Sequence, residues 1–323
     1  MQQDVREKHS NLSQALRHQV AKGRRLERSV VSALYHLPDR VRETWLAQQE
    51  DNLHHANPPR EGIVVDIGAG QGGHSRADLI LDKYIVDAFE RSGNEIDLTR
   101  PLVVADGHRL PIKDGAIAYI VCSHVLEHAT EPTVFAAELS RVARAGFVQV
   151  PSREAELTFG WPFHHWLIDR VGDTLVFEPR GDAHAARGDL LHAAFAESEA
   201  FRLWFAAHRS RWHHSVEWRG ELKVDVSGIS APLATATFDL QATLEALDKA
   251  ARKGMLRPLP PALRAVLCCP ACRADLADAA GRLVCTACAT SYPMAGGVPL
   301  LLAEAATPTA CRGTGTGARE GAR

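Results

Sequence analysis

Three observations predict an α/β fold built on a parallel, doubly wound sheet. The first is the run Ile63-Val64-Val65-Asp66-Ile67, followed at once by Gly68-Ala69-Gly70-Gln71-Gly72-Gly73. An apolar, β-branched run fits a strand buried on both faces. The glycines after it let the backbone take positive φ and let a ligand approach without a Cβ in the way. The second is that further runs of this kind alternate with turns and a helical segment as far as Pro151, the rhythm of a parallel sheet. The third is that acids stand at or near the ends of three runs, at Asp66, Asp82 and Asp106. In such sheets the ligand lies over the carboxyl ends of the strands.

The chain as a whole sets bounds on this reading. Its 323 residues suffice for one or two domains with a real core. A hydrophobic share of 46% and a charged share of 24% are those of an ordinary globular protein. The formal net charge of −2 supplies no global field toward nucleic acid or acidic membranes. No apolar run reaches the roughly 18 residues that span a bilayer, so no membrane partner is expected. The stretch Met1–Arg28 is polar and charged rather than a signal peptide. Five of the seven cysteines fall between Cys268 and Cys288. That clustering predicts metal binding in a reducing cytoplasm rather than disulfides.

Residues 1–60 read as helical. Leu26, Val30, Leu34 and Leu37 keep a 3–4 spacing that Val41, Trp45 and Leu46 resume after Pro38. A helix pair packed on the next domain and a lid over a ligand both fit. Asn57-Pro58-Pro59-Arg60-Glu61-Gly62 breaks helix. Strands are predicted at Ile63–Ile67, Asp78–Asp82, Leu102–Asp106, Ala116–Cys122 and Phe147–Pro151, with a helix over Glu131–Ala145. Between Gly73 and the second strand there is no room for a helix, so His74-Ser75-Arg76-Ala77 is a loop.

Three segments in this order carry a resemblance: Asp66-Ile67-Gly68-Ala69-Gly70, Asp106-Gly107-x-x-Leu110-Pro111, and Cys122-Ser123-His124-Val125-Leu126-Glu127-His128. They resemble the motifs of class I S-adenosylmethionine-dependent methyltransferases of type 11, over about residues 60–151. The resemblance implies a Rossmann-like sheet and S-adenosylmethionine as cofactor. It implies that Gly68 and Gly70 hold the methionine end, that Asp66 orients it, and that Asp106 with Gly107 meets the adenine. Ser123 joins this set at the end of the fourth strand. Asp82 is the match for the acid that binds the ribose hydroxyls, and Glu90 is its substitute. A carboxylate suits two hydroxyls because it accepts hydrogen bonds and donates none. Gly68, Gly70 and Gly73 also satisfy the dinucleotide pattern G-x-G-x-x-G. A pyrophosphate needs a helix N-terminus there, and this chain has no room for one.

Methyl transfer from a sulfonium is an in-line displacement that rests on proximity and orientation. A general base helps when the acceptor is a hydroxyl or a protonated amine. Among the 16 histidines, His124 follows the fourth strand and is a candidate base or a residue near the methionine end. His128, four residues on and thus on the same helical face, is read with Glu127 as framework. The tetrapeptide Asn/Asp-Pro-Pro-aromatic of base methylases is missing after the fourth strand, where Ser123-His124-Val125-Leu126 stands.

Residues 152–230 read as an acceptor-side insertion. Trp161–Asp169 and Thr174–Glu178 flank Gly172-Asp173 as a hairpin. His164 and His165 are candidates for a polar acceptor pocket, or pack as aromatics against the sheet. A metal held by His164-His165 and His213-His214 is a further reading. Asp239–Lys253 is predicted helical, and Pro258–Pro261 a stiff linker closing a domain over 61–260.

Cys269-x2-Cys272-x12-Cys285-x2-Cys288 offers four thiolates as two knuckles, the pattern of a tetrahedral structural zinc. With Tyr292-Pro293 and Gly297–Leu301, residues 264–303 resemble the small zinc-ribbon proteins that activate tRNA, rRNA and protein methyltransferases. In that family an apolar strand docks on the partner. Residues 304–323, rich in Thr, Gly and Arg, are expected to be disordered. The chain is therefore read as a cytoplasmic S-adenosylmethionine-dependent methyltransferase with a C-terminal zinc ribbon, acting on oxygen or nitrogen of a small polar molecule. Methylation of tRNA or rRNA is the alternative, with basic clusters at Lys22–Arg28 and Arg312–Arg323 to serve it. A non-catalytic scaffold is the third reading.

Overall fold

Strand β1, Val64–Ile67, is buried at every position, as its apolar run requires. The computed structural model describes residues 33, 36–43, 56–91, 93–181, 188–229 and 235–307. The helix pair expected from Leu26, Val30, Leu34, Trp45 and Leu46 lies outside the described residues, as do most of the tail and both terminal basic clusters. In the described residues of that N-terminal region, 39–43 are helical.

β1 pairs in parallel with β2, Leu79–Asp82, and with β4, Tyr119–Ser123; β2 pairs with β3, Leu102–Ala105. β5, Ala145–Pro151, follows helix α1, Pro132–Val142, and pairs in parallel with β4. The result is a Rossmann-like sheet, with β1 at its centre and the glycine turn at the carboxyl end of β1. Side chains alternate across it with period two. Val65, Ile67, Leu79, Leu81, Val103 and Ile120 join one core with Phe135, Leu139 and Val142 of α1. Ile80, Leu102 and Val104 point into a second core.

That second face lacks the crossover helices of a regular doubly wound sheet. Residues 68–78 contain no helix, and among the described residues between β2 and β3 there is one short 3-10 turn, Phe89–Arg91. The cover comes from far along the chain. The predicted helix is present as α6, Leu240–Arg252, N-capped by Asp239 through the Ala242 amide at 2.9 Å. Its Leu240, Leu244 and Leu247 pack into the second core.

The predicted hairpin forms from β6, Trp166–Val171, and β7, Thr174–Pro179. Gly172 has φ +63, the conformation its turn needs. With β9, Lys223–Val226, the hairpin makes a small second sheet, order β6-β7-β9. Trp166 Nε1 donates to the Ala129 carbonyl at 2.7 Å, anchoring the hairpin beside the loop after β4.

The C-terminal module continues the main sheet. β10 to β12, Leu276–Ala279, Arg282–Cys285 and Ser291–Ala295, are antiparallel and lead to β13, Val298–Leu301. β13 then pairs in parallel with β3, Leu300 with Val104 and Leu301 with Ala105. The order is β10-β11-β12-β13-β3-β2-β1-β4-β5-β8, ending at β8, His213–Arg219.

Two compact units divide the described chain. One draws on residues 56–150, 162–181 and 215–307 and holds the sheet, the hairpin and the cysteine module. The other draws on residues up to 55, 151–161 and 182–214. In it, helices Arg153–Phe159, Gly188–Glu197, Glu199–Ala207 and Arg209–Trp212 surround the Phe159 ring, with Phe205 stacked on Trp212 at 5.2 Å. Arg42 and Glu199 form an ion pair there at 2.7 Å. No described helix is long and apolar enough to cross a membrane.

Candidate active site and metal centre

A cavity of about 220 Å³, open to solvent, lies over the carboxyl ends of β1 to β4. Its walls include Gly68, Asp82, Glu90, Asp106, Gly107 and His124. Gly68 has φ +67, and a Cβ there would collide with Val125; one at Gly107 would collide with the Phe135 ring. Both glycines therefore keep backbone bare at the cavity wall.

Asp66 sits beneath the glycine turn, 2% exposed. Its Oδ2 accepts the His74 amide at 2.7 Å, which folds residues 68–74 back over the strand end. Burial pushes its carboxyl up to about 7, against the pull of that amide. Asp82 ends β2 and is pushed up by burial, with the Arg91 charge and the amides of Tyr84, Gly70 and Lys83 opposing. Asp106 caps the turn Gly107–Arg109: Oδ1 takes the His108 amide and ring at 2.8 Å each, and Oδ2 takes Lys83 Nζ at 2.7 Å. Burial works against its charge, but these hydrogen bonds win and hold it well below the usual carboxylate range. Gly70 has φ +55 in the same turn. Ser123 Oγ lies 3.5 Å from Gln149 Oε1, directed along the sheet.

His124 does not begin a helix. Its φ is +57, a strained value for a residue with a side chain, and only Leu126–His128 form a 3-10 turn after it. The four-residue spacing of His124 and His128 therefore does not place them on one helical face. The left-handed residue turns the His124 ring back, so that Nδ1 lies 3.1 Å from Glu127 Oε1. Glu127 is fully buried. Burial opposes its charge, but the hydrogen bond with His124 prevails and holds the carboxyl down at about 2.

His164 and His165 are both buried. His164 Nε2 lies 4.0 Å from Glu127 Oε1, and its ring meets the His128 ring edge-on at 4.7 Å. The His165 amide donates to the Glu127 carbonyl at 2.9 Å, so this residue fastens the hairpin to the loop. Among the described residues, the histidine placed with His128 and Glu127 in a metal-compatible group is His164; His213 and His214 join no such group.

The sequence reading passed over Arg91, Lys83 and the paired role of Glu127. Arg91 lies against Gly70, and its Nη2 is buried without a hydrogen-bond partner. The only signal was the Glu90-Arg91 pair in an otherwise featureless connection. The spacing of His124 and Glu127 by three residues was the hint for that pair.

Cys269, Cys272, Cys285 and Cys288 converge with their sulfurs within 4.8 Å of one another. Arg273 and Ala289, directly after each pair, have φ +65 and +57, the turn that brings two sulfurs to one point. The Ala274 amide favours the Cys272 thiolate, yet the crowding of neighbouring thiols pushes it up to about 12. Four thiols so placed fit a zinc ion, which replaces that crowding with metal–thiolate bonds.

Residues 65–148 match a family model described as a methyltransferase domain. No curated protein matches the chain significantly. Among solved structures it is similar to a methyltransferase from Bacillus halodurans C-125 at 15% identity and TM-score 0.25, covering 33% of this chain and 51% of that one. It is similar to a SAM-dependent methyltransferase from Thermotoga maritima at 16% identity and TM-score 0.27, covering 34% and 53%. The similarity thus spans about half the length of these relatives. A complex of the Haloferax volcanii Trm112 methyltransferase activator with a methyltransferase is matched at 12% identity and TM-score 0.32, covering 55% of this chain and 95% of that one. The glycine turn, the acids on their strand ends and the segment that matches the methyltransferase-domain model, residues 65–148, occupy the same Rossmann-like sheet.

Proposed function

We propose that the chain transfers a methyl group from S-adenosylmethionine to oxygen or nitrogen of a small polar molecule, such as a sugar or natural-product intermediate. The observation that carries this reading is the cavity lined by Gly68, Asp82, Asp106 and Gly107 over the carboxyl ends of a parallel sheet. The residues fit the cofactor. Arg91 Nη2, an orphaned donor beside the glycine turn, suits the carboxylate of the methionine end. Asp82 suits the ribose hydroxyls, and the bare backbone at Gly107 suits the flat adenine.

When bound, the cofactor supplies a methyl group on a sulfonium. The chain's own part is to orient and to take a proton. His124, fixed by Glu127 through Nδ1, accepts the acceptor's proton while the Glu127 charge stabilises the resulting imidazolium. Ile67, Leu81 and Phe135 give the cavity an apolar wall beside these groups. The four-cysteine ion has no open position, so its part is structural. A reducing cytoplasm is the compartment that suits these thiols.

The alternative acceptor, tRNA or rRNA, draws support from one observation. β13 of the cysteine module pairs with β3 of the sheet, which is how an apolar strand of the activator-like proteins is expected to dock. An intramolecular activator would act at high effective concentration.

Calorimetry with S-adenosylmethionine tests the main reading. Heat from the parent chain that vanishes in Asp106→Ala is expected; no heat from the parent would favour a non-catalytic scaffold. Mass spectrometry of extracts incubated with labelled methyl donor then identifies the acceptor. Loss of RNA retention at all salt concentrations would dismiss the RNA alternative.

A further inference from the structure

We infer that Glu127, His128 and His164 form a second metal site at the wall of the cavity, one that holds a divalent ion of the zinc type through two imidazoles and a carboxylate. One ligand atom from each of the three lies within 4.8 Å of the others. Glu127 is fully buried; its Oε1 is engaged by His124 at 3.1 Å, while its Oε2 is buried without any hydrogen-bond partner. His128 Nδ1 is likewise buried with no hydrogen bond, 3.4 Å from Glu90 Oε2. His164 Nε2 lies 4.0 Å from Glu127 Oε1.

Leaving a buried carboxylate oxygen without a hydrogen-bond partner is costly, and a cation beside Glu127 Oε2 would satisfy it. His128 and His164 ligate as neutral imidazoles. Their orientation is held from outside. The His128 ring stacks on Phe163 at 5.5 Å, and Phe163 meets Phe89 edge-on at 5.4 Å.

Donors about 2 Å from one ion stand at most about 4 Å apart, so closing the site requires the side chains to draw in by about 1 Å. Arg180, whose guanidinium donates to the His164 carbonyl at 3.4 Å, opposes a cation from one side. The Glu90 and Glu127 carboxylates outweigh it from the other. Two nitrogens and one oxygen select zinc-like ions over magnesium. Three protein donors leave a coordination position open, and His128 and Glu90 line the cavity. An acceptor oxygen at that position would be held beside His124; this use of the ion rests on the methyltransferase reading, whereas the site itself does not.

The test is metal content of the full chain. The parent and the variants Glu127→Gln, His128→Gln and His164→Gln are stripped with chelator, loaded with Zn²⁺, desalted and measured for zinc per chain. Each variant is expected to carry one equivalent less than the parent, with its circular dichroism unchanged and the four-cysteine ion retained. Equal zinc in parent and variants overturns the site. Cobalt gives a reading that does not depend on the variants. The parent loaded with Co²⁺ should show, besides any thiolate charge-transfer band, the weaker d–d absorption of a nitrogen and oxygen site; thiolate-ligated cobalt alone overturns it. If the one-equivalent difference holds while the parent gives no heat with S-adenosylmethionine, the ion stands and the methyltransferase reading falls.

Discussion

Asp66 is a buried acid that weakens the fold as pH rises. Its carboxyl ordinarily titrates near 3.8 and in the fold near 7. A group raised in this way adds its stability at low pH, where both states are protonated, and loses it as pH climbs through the folded value. Between pH about 4 and about 7 the unfolded chain gives up the proton that the fold retains, at roughly 1.4 kcal/mol per unit. Asp66→Asn keeps an acceptor for the His74 amide and removes this titration. We expect it to match the parent at pH 4 and to exceed it by a few kcal/mol at pH 8, read from urea midpoints, while losing tenfold or more in methyl-donor affinity. A parent–variant difference that does not grow with pH would refute the assignment. Gly107 makes a second residue-level test. Gly107→Ala drives a methyl group into the Phe135 ring, and overpacking of this kind costs about 1–3 kcal/mol. Its unfolding midpoint should fall, and methyl-donor heat should weaken with it.

At the scale of elements, β13 changes what the cysteine module is. Its buried residues Val298, Leu300 and Leu301 stand in the row of the main sheet. The module is fastened at a second place, where Ile112 bridges Leu267 and the Cys268 amide donates to the Pro111 carbonyl at 2.9 Å. Arg273 reaches Glu138 of α1 at 3.1 Å, beside the ion pair of Glu138 with Arg141 at 2.6 Å. Metal loss should therefore be felt in the sheet, because ion binding free energy is folding free energy for such a module. Cys285→Ser is expected to lose the four-cysteine ion and to lower the urea midpoint of the whole sheet. A midpoint that stays put while zinc is gone would mean that the module folds without metal. The hairpin gives a smaller test. Trp166→Phe leaves the Ala129 carbonyl without its donor, and thermal melting should report a loss of about 1–3 kcal/mol.

At the scale of the molecule, one unit combines segments that are distant in sequence. α6, from residues 240–252, covers the face where no crossover helix follows β1 or β2, and β13, from residues 298–301, closes the edge of β3. A chain ending at residue 260 would leave β3, with Leu102, Val103 and Val104, as an exposed apolar edge, a template for pairing with other chains. We expect that truncation to aggregate on light scattering; a monodisperse product would show the sheet to be complete without β13.

The strands, the hairpin, α6 and the four cysteines were legible because each is encoded locally. Period-two apolar runs, Gly172-Asp173, the spacing of Leu240, Leu244 and Leu247, and two Cys-x2-Cys pairs need no distant partner to be recognised. The acids ending β2 and β3 were legible for the same reason, since strand ends fix where they stand. The tertiary structure alone decided which distant residues meet. The hairpin carries His164 to His128, and Arg91 comes to the glycine turn. Neither contact leaves a periodic trace in the sequence, because each depends on loops whose course is set by packing. By itself the sequence determined a parallel sheet with a ligand turn and a four-thiol module. Packing decided that the module joins that sheet, and that a buried carboxylate and two imidazoles meet beside the cavity.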